Sequence, residues 1–190
     1  MFNLSETPRL VEARSRIAEK LASYPDFPKP GILFRDISPI FEDPAALQDL
    51  ALVLRDLLKD EKISKVVSAE ARGFLLGVPT ALEIGAGFVM VRKPGKLPGK
   101  TIEASYSLEY GTNRLQMNAG AVKPGERVLI VDDLLATGGT AAAMAELVKR
   151  EGGEIAGMVF LIELEGLPGR KLLKDKYGVD SWSLITVSAH

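Results

Sequence analysis

Residues 128–140 constrain this chain more than any other stretch: Val128-Leu129-Ile130-Val131 runs into Asp132-Asp133, and Leu134-Leu135-Ala136 leads to Thr137-Gly138-Gly139-Thr140. The unbroken aliphatic run reads as a buried strand that ends in two acids. The alanine-rich residues after Thr140 read as a helix over 140–150, stopped by Gly152 and Gly153. A strand, a short glycine loop and a helix therefore follow one another directly.

The rest of the chain repeats that alternation. Strands are predicted over residues 64–69, 87–92, 127–131, 154–162 and 182–187. Apolar spacing predicts helices over 10–21, 73–84 and 168–177. Another helix, from Asp43 as cap and Pro44 as first residue to about Lys59, follows from N-terminal preferences. Pro25, Pro28 and Pro30 forbid continuation of the first helix, and residues 31–40 read as extended. Pro94, Gly95, Pro98 and Gly99 make a loop before two alternating runs, 101–108 and 113–117. The expected fold is α/β: a single domain over residues 1–190 with a mainly parallel central sheet flanked by helices. In such sheets ligands bind at the carboxyl ends of the strands.

Composition removes several chemistries. The chain has no cysteine and one histidine, its last residue His190. Disulfides, cysteine nucleophiles and Cys-bound zinc are excluded, and a histidine mechanism or metal site is disfavoured. Any metal should take oxygen ligands, which suits magnesium. The net charge of −1 gives no reason to expect a nucleic-acid footprint or a charged membrane anchor. Residues 1–24 lack the apolar centre of a signal peptide, and no stretch reaches the ~20 apolar residues of a membrane span. The expected location is the cytoplasm.

The chemistry of 128–140 is direct. Gly138 and Gly139 let a ligand approach the main chain. The free N–H groups of the helix start form an anion site, and the Thr137 and Thr140 hydroxyls add donors. Asp132 and Asp133 can accept hydrogen bonds from vicinal hydroxyls. A phosphate beside a diol describes a ribose 5-phosphate. No lysine follows the glycines as in a Walker A loop, and their spacing does not suit a dinucleotide fingerprint.

A second strand end carries Ser68-Ala69-Glu70-Ala71-Arg72-Gly73. Arg72 offers a fork of donors for phosphate oxygens, or alternatively an ion pair with Glu70 or Glu83. Arg92, Lys93, Lys96 and Lys100 crowd four cations among two prolines and two glycines. That run is either a solvated loop or a lid that closes over an anion and excludes water.

The string Val131-Asp132-Asp133-Leu134-Leu135-Ala136-Thr137-Gly138-Gly139-Thr140 resembles the 5-phosphoribosyl-1-diphosphate signature of the type I phosphoribosyltransferases, in the form seen in adenine phosphoribosyltransferases. Two further strings resemble the adenine enzymes: Phe27-Pro28-Lys29-Pro30-Gly31-Ile32-Leu33-Phe34-Arg35-Asp36 and Ala104-Ser105-Tyr106-Ser107-Leu108-Glu109-Tyr110-Gly111. The likeness spans nearly the whole chain, with four motifs in the family's order.

The resemblance implies transfer of a phosphoribosyl group to adenine, giving AMP and diphosphate. It implies that Ala136, Thr137, Gly138, Gly139 and Thr140 hold the 5′-phosphate while Asp132 and Asp133 face the ribose. Glu70, Ala71, Arg72 and Gly73 would bind diphosphate with Arg92, Lys93, Lys96 and Tyr110, around a cis peptide near Glu70. An N-terminal hood, residues 1–40, would cover the base, with Phe34 stacked on it and the main chain of Leu33 and Arg35 reading its edge. A flexible β lid over 92–118 would carry Glu109, which accepts the N7 proton. Mg2+ as cofactor and a homodimer are implied in the same way. Two rivals stay open: transfer to another base, and a non-enzymatic sensor of the sugar diphosphate.

Overall fold

Asp43 explains one helix start. Its carboxylate accepts hydrogen bonds from the backbone N–H groups of Ala45 and Ala46 at 2.9 and 3.0 Å, ahead of Pro44. A hydrogen bond from Lys20 leads the effects that hold the Asp43 carboxyl down at about 2. Its contribution is thus fully present above its ordinary value of 3.8 and is lost as pH falls toward about 2. Asp43→Ala is expected to lower Tm by a constant amount across neutral pH, with the gap closing in that acid window. A gap that stays open at the acid end would contradict this.

The computed structural model describes residues 7–108 and 111–189. The helices are α1 (Pro8–Lys20), α2 (Ser38–Glu42), α3 (Pro44–Leu58), α4 (Gly73–Ile84), α5 (Gly139–Arg150) and α6 (Gly169–Tyr177). The strands are β1 (Ala22–Tyr24), β2 (Phe34–Asp36), β3 (Lys65–Ala69), β4 (Gly87–Val91), β5 (Thr101–Leu108), β6 (Gly111–Asn118), β7 (Arg127–Leu135), β8 (Glu154–Glu165) and β9 (Ser181–Ser188). Among the described residues no helix is long and apolar enough to cross a membrane.

The central sheet runs β4-β3-β7-β8-β9, all parallel. Successive side chains of β7 point to opposite faces, which is why an unbroken apolar run is needed. Val128 and Ile130 join a core with Val67, Phe160 and the α5 residues Met144 and Leu147. Leu129 and Val131 join the other core with Val66, Val159, Ile17 of α1 and Leu54 of α3. Helices therefore cover both faces, as the sequence predicts.

Some boundaries differ from expectation. β7 does not end at Val131 but continues to Leu135, because Asp132, Leu134 and Leu135 still pair with Phe160, Ile162 and Glu163 of β8. Both acids thus stand inside the strand rather than beyond it. Residues 31–40 are not wholly extended: β2 gives way to α2, with the Asp36 carboxylate accepting the Ser38 N–H at 2.9 Å at the turn. β2 pairs antiparallel with β1, a strand the sequence reading lacked. β5 and β6 form a separate antiparallel pair.

Candidate active site

The carboxyl ends of β3 and β7 meet at one cavity of about 210 Å³, lined by Arg72, Tyr106, Asp132, Asp133 and residues 134–141. Asp132 and Asp133 are only 6% and 8% exposed. The Asp133 carboxylate accepts from the Arg72 guanidinium at 2.9 Å. Asp132 Oδ1 accepts the Asp133 backbone N–H at 3.0 Å. Burial first, then the Asp133 charge beside it, pushes the Asp132 carboxyl well above the usual range, against the pull of Arg72. Gly73 makes room for this acid: a Cβ there would stand 2.5 Å from Asp132 Oδ1 and 2.6 Å from Ser68 Oγ. Ser68 in turn donates to the Val131 carbonyl at 2.7 Å.

The glycine loop closes the other side. Gly138 has φ of 84°, in the left-handed region, and no side chain caps α5. Its first N–H groups are thus left for an anion. Tyr106 comes down from β5 onto this turn. A Cβ on Gly139 would lie 2.7 Å from Tyr106 Cδ2, and the Thr140 hydroxyl donates to the tyrosine oxygen at 3.4 Å. Sequence reasoning placed Tyr106 in the alternating run 101–108 and gave neither it nor Ser68 a place in the site. The signal for Tyr106 was the alternation itself, which cannot say what the face meets.

The loop after β3 contains the expected cis peptide, between Glu70 and Ala71. Arg72 turns to Asp133 and to neither glutamate that the sequence offered as a partner. Glu70 lies outside the cavity's lining. It accepts Arg92 Nε at 2.6 Å and the Lys93 N–H at 2.8 Å, while Arg92 also donates to the Lys96 carbonyl at 3.2 Å. Burial alone would raise Glu70, but the Lys93 and Arg92 hydrogen bonds leave it below its usual value. Lys93 and Lys96 are exposed, and Arg92, Lys93 and Lys96 lie outside the lining of the 210 Å³ cavity.

Phe34 of β2 reaches the Arg72 side chain that lines this cavity. Its ring lies 5.2 Å beneath the Arg72 guanidinium and meets Phe27 edge-on at 5.1 Å. Tyr24, Pro25, Asp26, Phe27, Phe34 and Asp36 line a neighbouring recess of about 420 Å³. The Arg35 side chain instead donates to Ser23 Oγ at 2.7 Å and the Ser188 carbonyl at 2.8 Å, tying β2 to β1 and β9. Glu109 and Tyr110 lie outside the described residues. Among the described residues no cluster of three or more His, Cys, Asp or Glu side chains could hold a metal.

Residues 36–189 match the family model for the phosphoribosyl transferase domain. A curated Escherichia coli relative, an adenine phosphoribosyltransferase, is 50% identical over 174 residues, covering 92% of this chain and 94% of its own. The chain belongs to the adenine phosphoribosyltransferases. The crystal structure of an adenine phosphoribosyltransferase from Thermoanaerobacter pseudethanolicus is similar with a TM-score of 0.87 and 47% identity, over 92% of this chain and 99% of that one. The adenine phosphoribosyltransferase of Saccharomyces cerevisiae, solved with adenine and an imino-altritol bisphosphate, gives 0.84 and 39% over 92% and 99%. Family membership favours the adenine reading over both rivals, another base and a sensor.

Proposed function

We propose that this chain transfers the phosphoribosyl group of 5-phosphoribosyl-1-diphosphate to N9 of adenine, releasing AMP and diphosphate. The observation that carries this reading is the single cavity in which an acid pair, an uncapped helix start and Arg72 face one another. A sugar held by its hydroxyls and its 5′-phosphate fits that arrangement. The yeast relative's complex with a base and a bisphosphate supports the same pairing of ligands.

In this reading the main chain of residues 136–140, with the Thr137 and Thr140 hydroxyls, takes the 5′-phosphate. Asp132 and Asp133 accept from the ribose hydroxyls, and their charge favours cationic character at the anomeric carbon. Arg72, with the backbone of Glu70, Ala71 and Gly73, receives the diphosphate. The Glu70 side chain acts indirectly, by holding Arg92 and the turn through Lys93 and Lys96. Those cations and Tyr110 approach the diphosphate as the lid of residues 92–118 closes. Asp132 and Asp133 would meet a magnesium ion indirectly, with the diphosphate, the ribose hydroxyls and water as its oxygen ligands. Bound there, magnesium would neutralise charge on the leaving oxygens.

Purine N9 attacks C1 of the ribose, the C1–O bond breaks, and its electron pair leaves with diphosphate. Glu109 accepts the N7 proton, so one proton leaves the base as one bond forms. Phe34 stacks on the purine, under the hood of residues 1–40. Main-chain groups of Leu33 and Arg35 read its amino group and N1. A 6-oxopurine reverses that donor and acceptor pattern, and each unpaired buried group costs about 1–3 kcal/mol.

A homodimer in the cytoplasm completes the proposal. Leu75, Val78 and Leu82 form an exposed apolar stripe on α4, beside exposed Met90 of the edge strand β4. Such a stripe suits a second copy of the chain.

With magnesium, adenine and the sugar diphosphate, the protein is expected to form AMP and diphosphate in equal amounts. Chelating magnesium should stop the reaction. Ribose 5-phosphate released without AMP would sink the reading. Glu109→Ala is expected to lower kcat by about 10²-fold or more with little change in the KM for adenine, as for loss of a general base. A raised KM with unchanged kcat would remove Glu109 from the proton transfer.

A further inference from the structure

The phosphate loop is backed by a segment to which the site so far gives no part. α6 opens at Gly169, whose N–H donates to the Ala136 carbonyl at 3.1 Å. A Cβ on Gly169 would overlap that carbonyl and stand 2.8 Å from Leu135 Cδ1 and 3.1 Å from the Gly138 nitrogen. The fit is reciprocal. A Cβ on Gly138 would lie 3.0 Å from Gly169 Cα, 3.2 Å from its carbonyl and 3.3 Å from Leu172 Cδ2. Two glycine backbones therefore touch, one in the loop and one at the helix start: a side chain at Gly169 would collide with backbone, and one at Gly138 would be both tight and strained by its φ of 84°.

The next residue fixes that contact to the sheet. Arg170 Nε donates to Glu163 Oε1 at 2.8 Å, and a second guanidinium nitrogen donates to Glu163 Oε2. Its third nitrogen donates to the Ser181 carbonyl, and Ser183 Oγ donates to Glu163 Oε2 at 2.8 Å. Glu163 stands on β8 directly opposite Leu135, the last residue of β7 before the loop. The fork thus spans β8, β9 and the start of α6 at the level where the loop leaves the sheet. A planar two-point fork fixes direction as well as distance, which a lysine cannot do.

We propose that Gly169 and Arg170 are positioning residues for the 5′-phosphate loop: the Gly169 backbone sets the path of Ala136 and Gly138, and the Arg170–Glu163 fork holds Gly169 in place. The proposal rests on the reading of residues 136–140 as the phosphate seat. Neither residue touches substrate. Their effect is to hold the loop's N–H groups at one spacing, and small misplacements of such groups are costly.

The test compares Gly169→Ala, Arg170→Gln and Arg170→Lys with Thr140→Ala, which alters the loop itself. Calorimetry gives Kd for ribose 5-phosphate and for inorganic diphosphate, and steady-state assays give KM and kcat. Gly169→Ala is expected to raise the ribose 5-phosphate Kd and the KM for the sugar diphosphate about tenfold or more, with the inorganic diphosphate Kd within about twofold. Arg170→Gln should raise the same constants severalfold, and Arg170→Lys should recover only part. Should Gly169→Ala fail to accumulate as folded protein, the Arg170 pair decides by the same criterion. Equal weakening of both ligands, or no change in ribose 5-phosphate affinity while Thr140→Ala weakens it, overturns the proposal and leaves the site reading standing. No change in any variant, Thr140→Ala included, sinks the phosphate-seat reading and the proposal with it.

Discussion

Asp132→Asn combined with Asp133→Asn is expected to cut kcat/KM for the sugar diphosphate by at least about 10²-fold, the scale of losing preorganised groups aimed at developing charge. Asparagine keeps the shape and one acceptor oxygen. It loses the charge that opposes the cationic sugar, and its hydrogen bonds are roughly half as strong as those of a carboxylate. The single variant Asp132→Asn separates chemistry from stability. Burial and the Asp133 charge raise the Asp132 carboxyl in the fold. A raised carboxyl favours the protonated fold, so its ionisation costs stability as pH rises through the folded value. Asp132→Asn removes that cost. Its Tm should match the wild type in acid and exceed it at pH 8, while turnover falls. A variant that melts lower at pH 8, or that turns over within about threefold of wild type, would contradict this account of transition-state charge.

Arg72→Ala is expected to produce the second large loss, about 10²-fold in kcat/KM, because one side chain serves three parts of the site. It pairs with Asp133 at 2.9 Å, lies 5.2 Å over the Phe34 ring and faces the proposed diphosphate seat. Removing it frees Asp133, a buried carboxylate, from its cation and takes one wall from the stacking ring. Arg72→Lys restores charge but neither the fork nor the flat face, so it should rescue little. Full rescue by lysine would reduce Arg72 to a point charge, and unchanged kinetics in Arg72→Ala would remove it from the site. Steady-state rates at varied sugar diphosphate and adenine separate these outcomes.

The elements that carry the site were legible where the signal is local. The aliphatic run of β7 announces a doubly covered strand, and Asp43-Pro44 announces a helix start, because both depend on neighbours in sequence. The loop at Thr137-Gly138-Gly139-Thr140 was legible for the same reason. What escaped depends on residues far apart. Nothing near Arg72 says that it meets Asp133 rather than Glu70. Nothing near Tyr106 says that its ring rests on Gly139. β1 and β2 are three residues each and are strands only because they pair with each other. Gly169 falls within the helix predicted over 168–177 with nothing to single it out, and only its contact with Gly138, distant in sequence, gives it a reason.

Base choice tests the central claim most directly. Nucleotide formation should be followed with magnesium, the sugar diphosphate and one base at a time. Adenine should give AMP, and hypoxanthine, guanine, xanthine and orotate should give little. Faster turnover of one of those other bases would contradict the reading of Leu33, Phe34 and Arg35. Binding of the sugar diphosphate without turnover of any base would contradict the transfer itself.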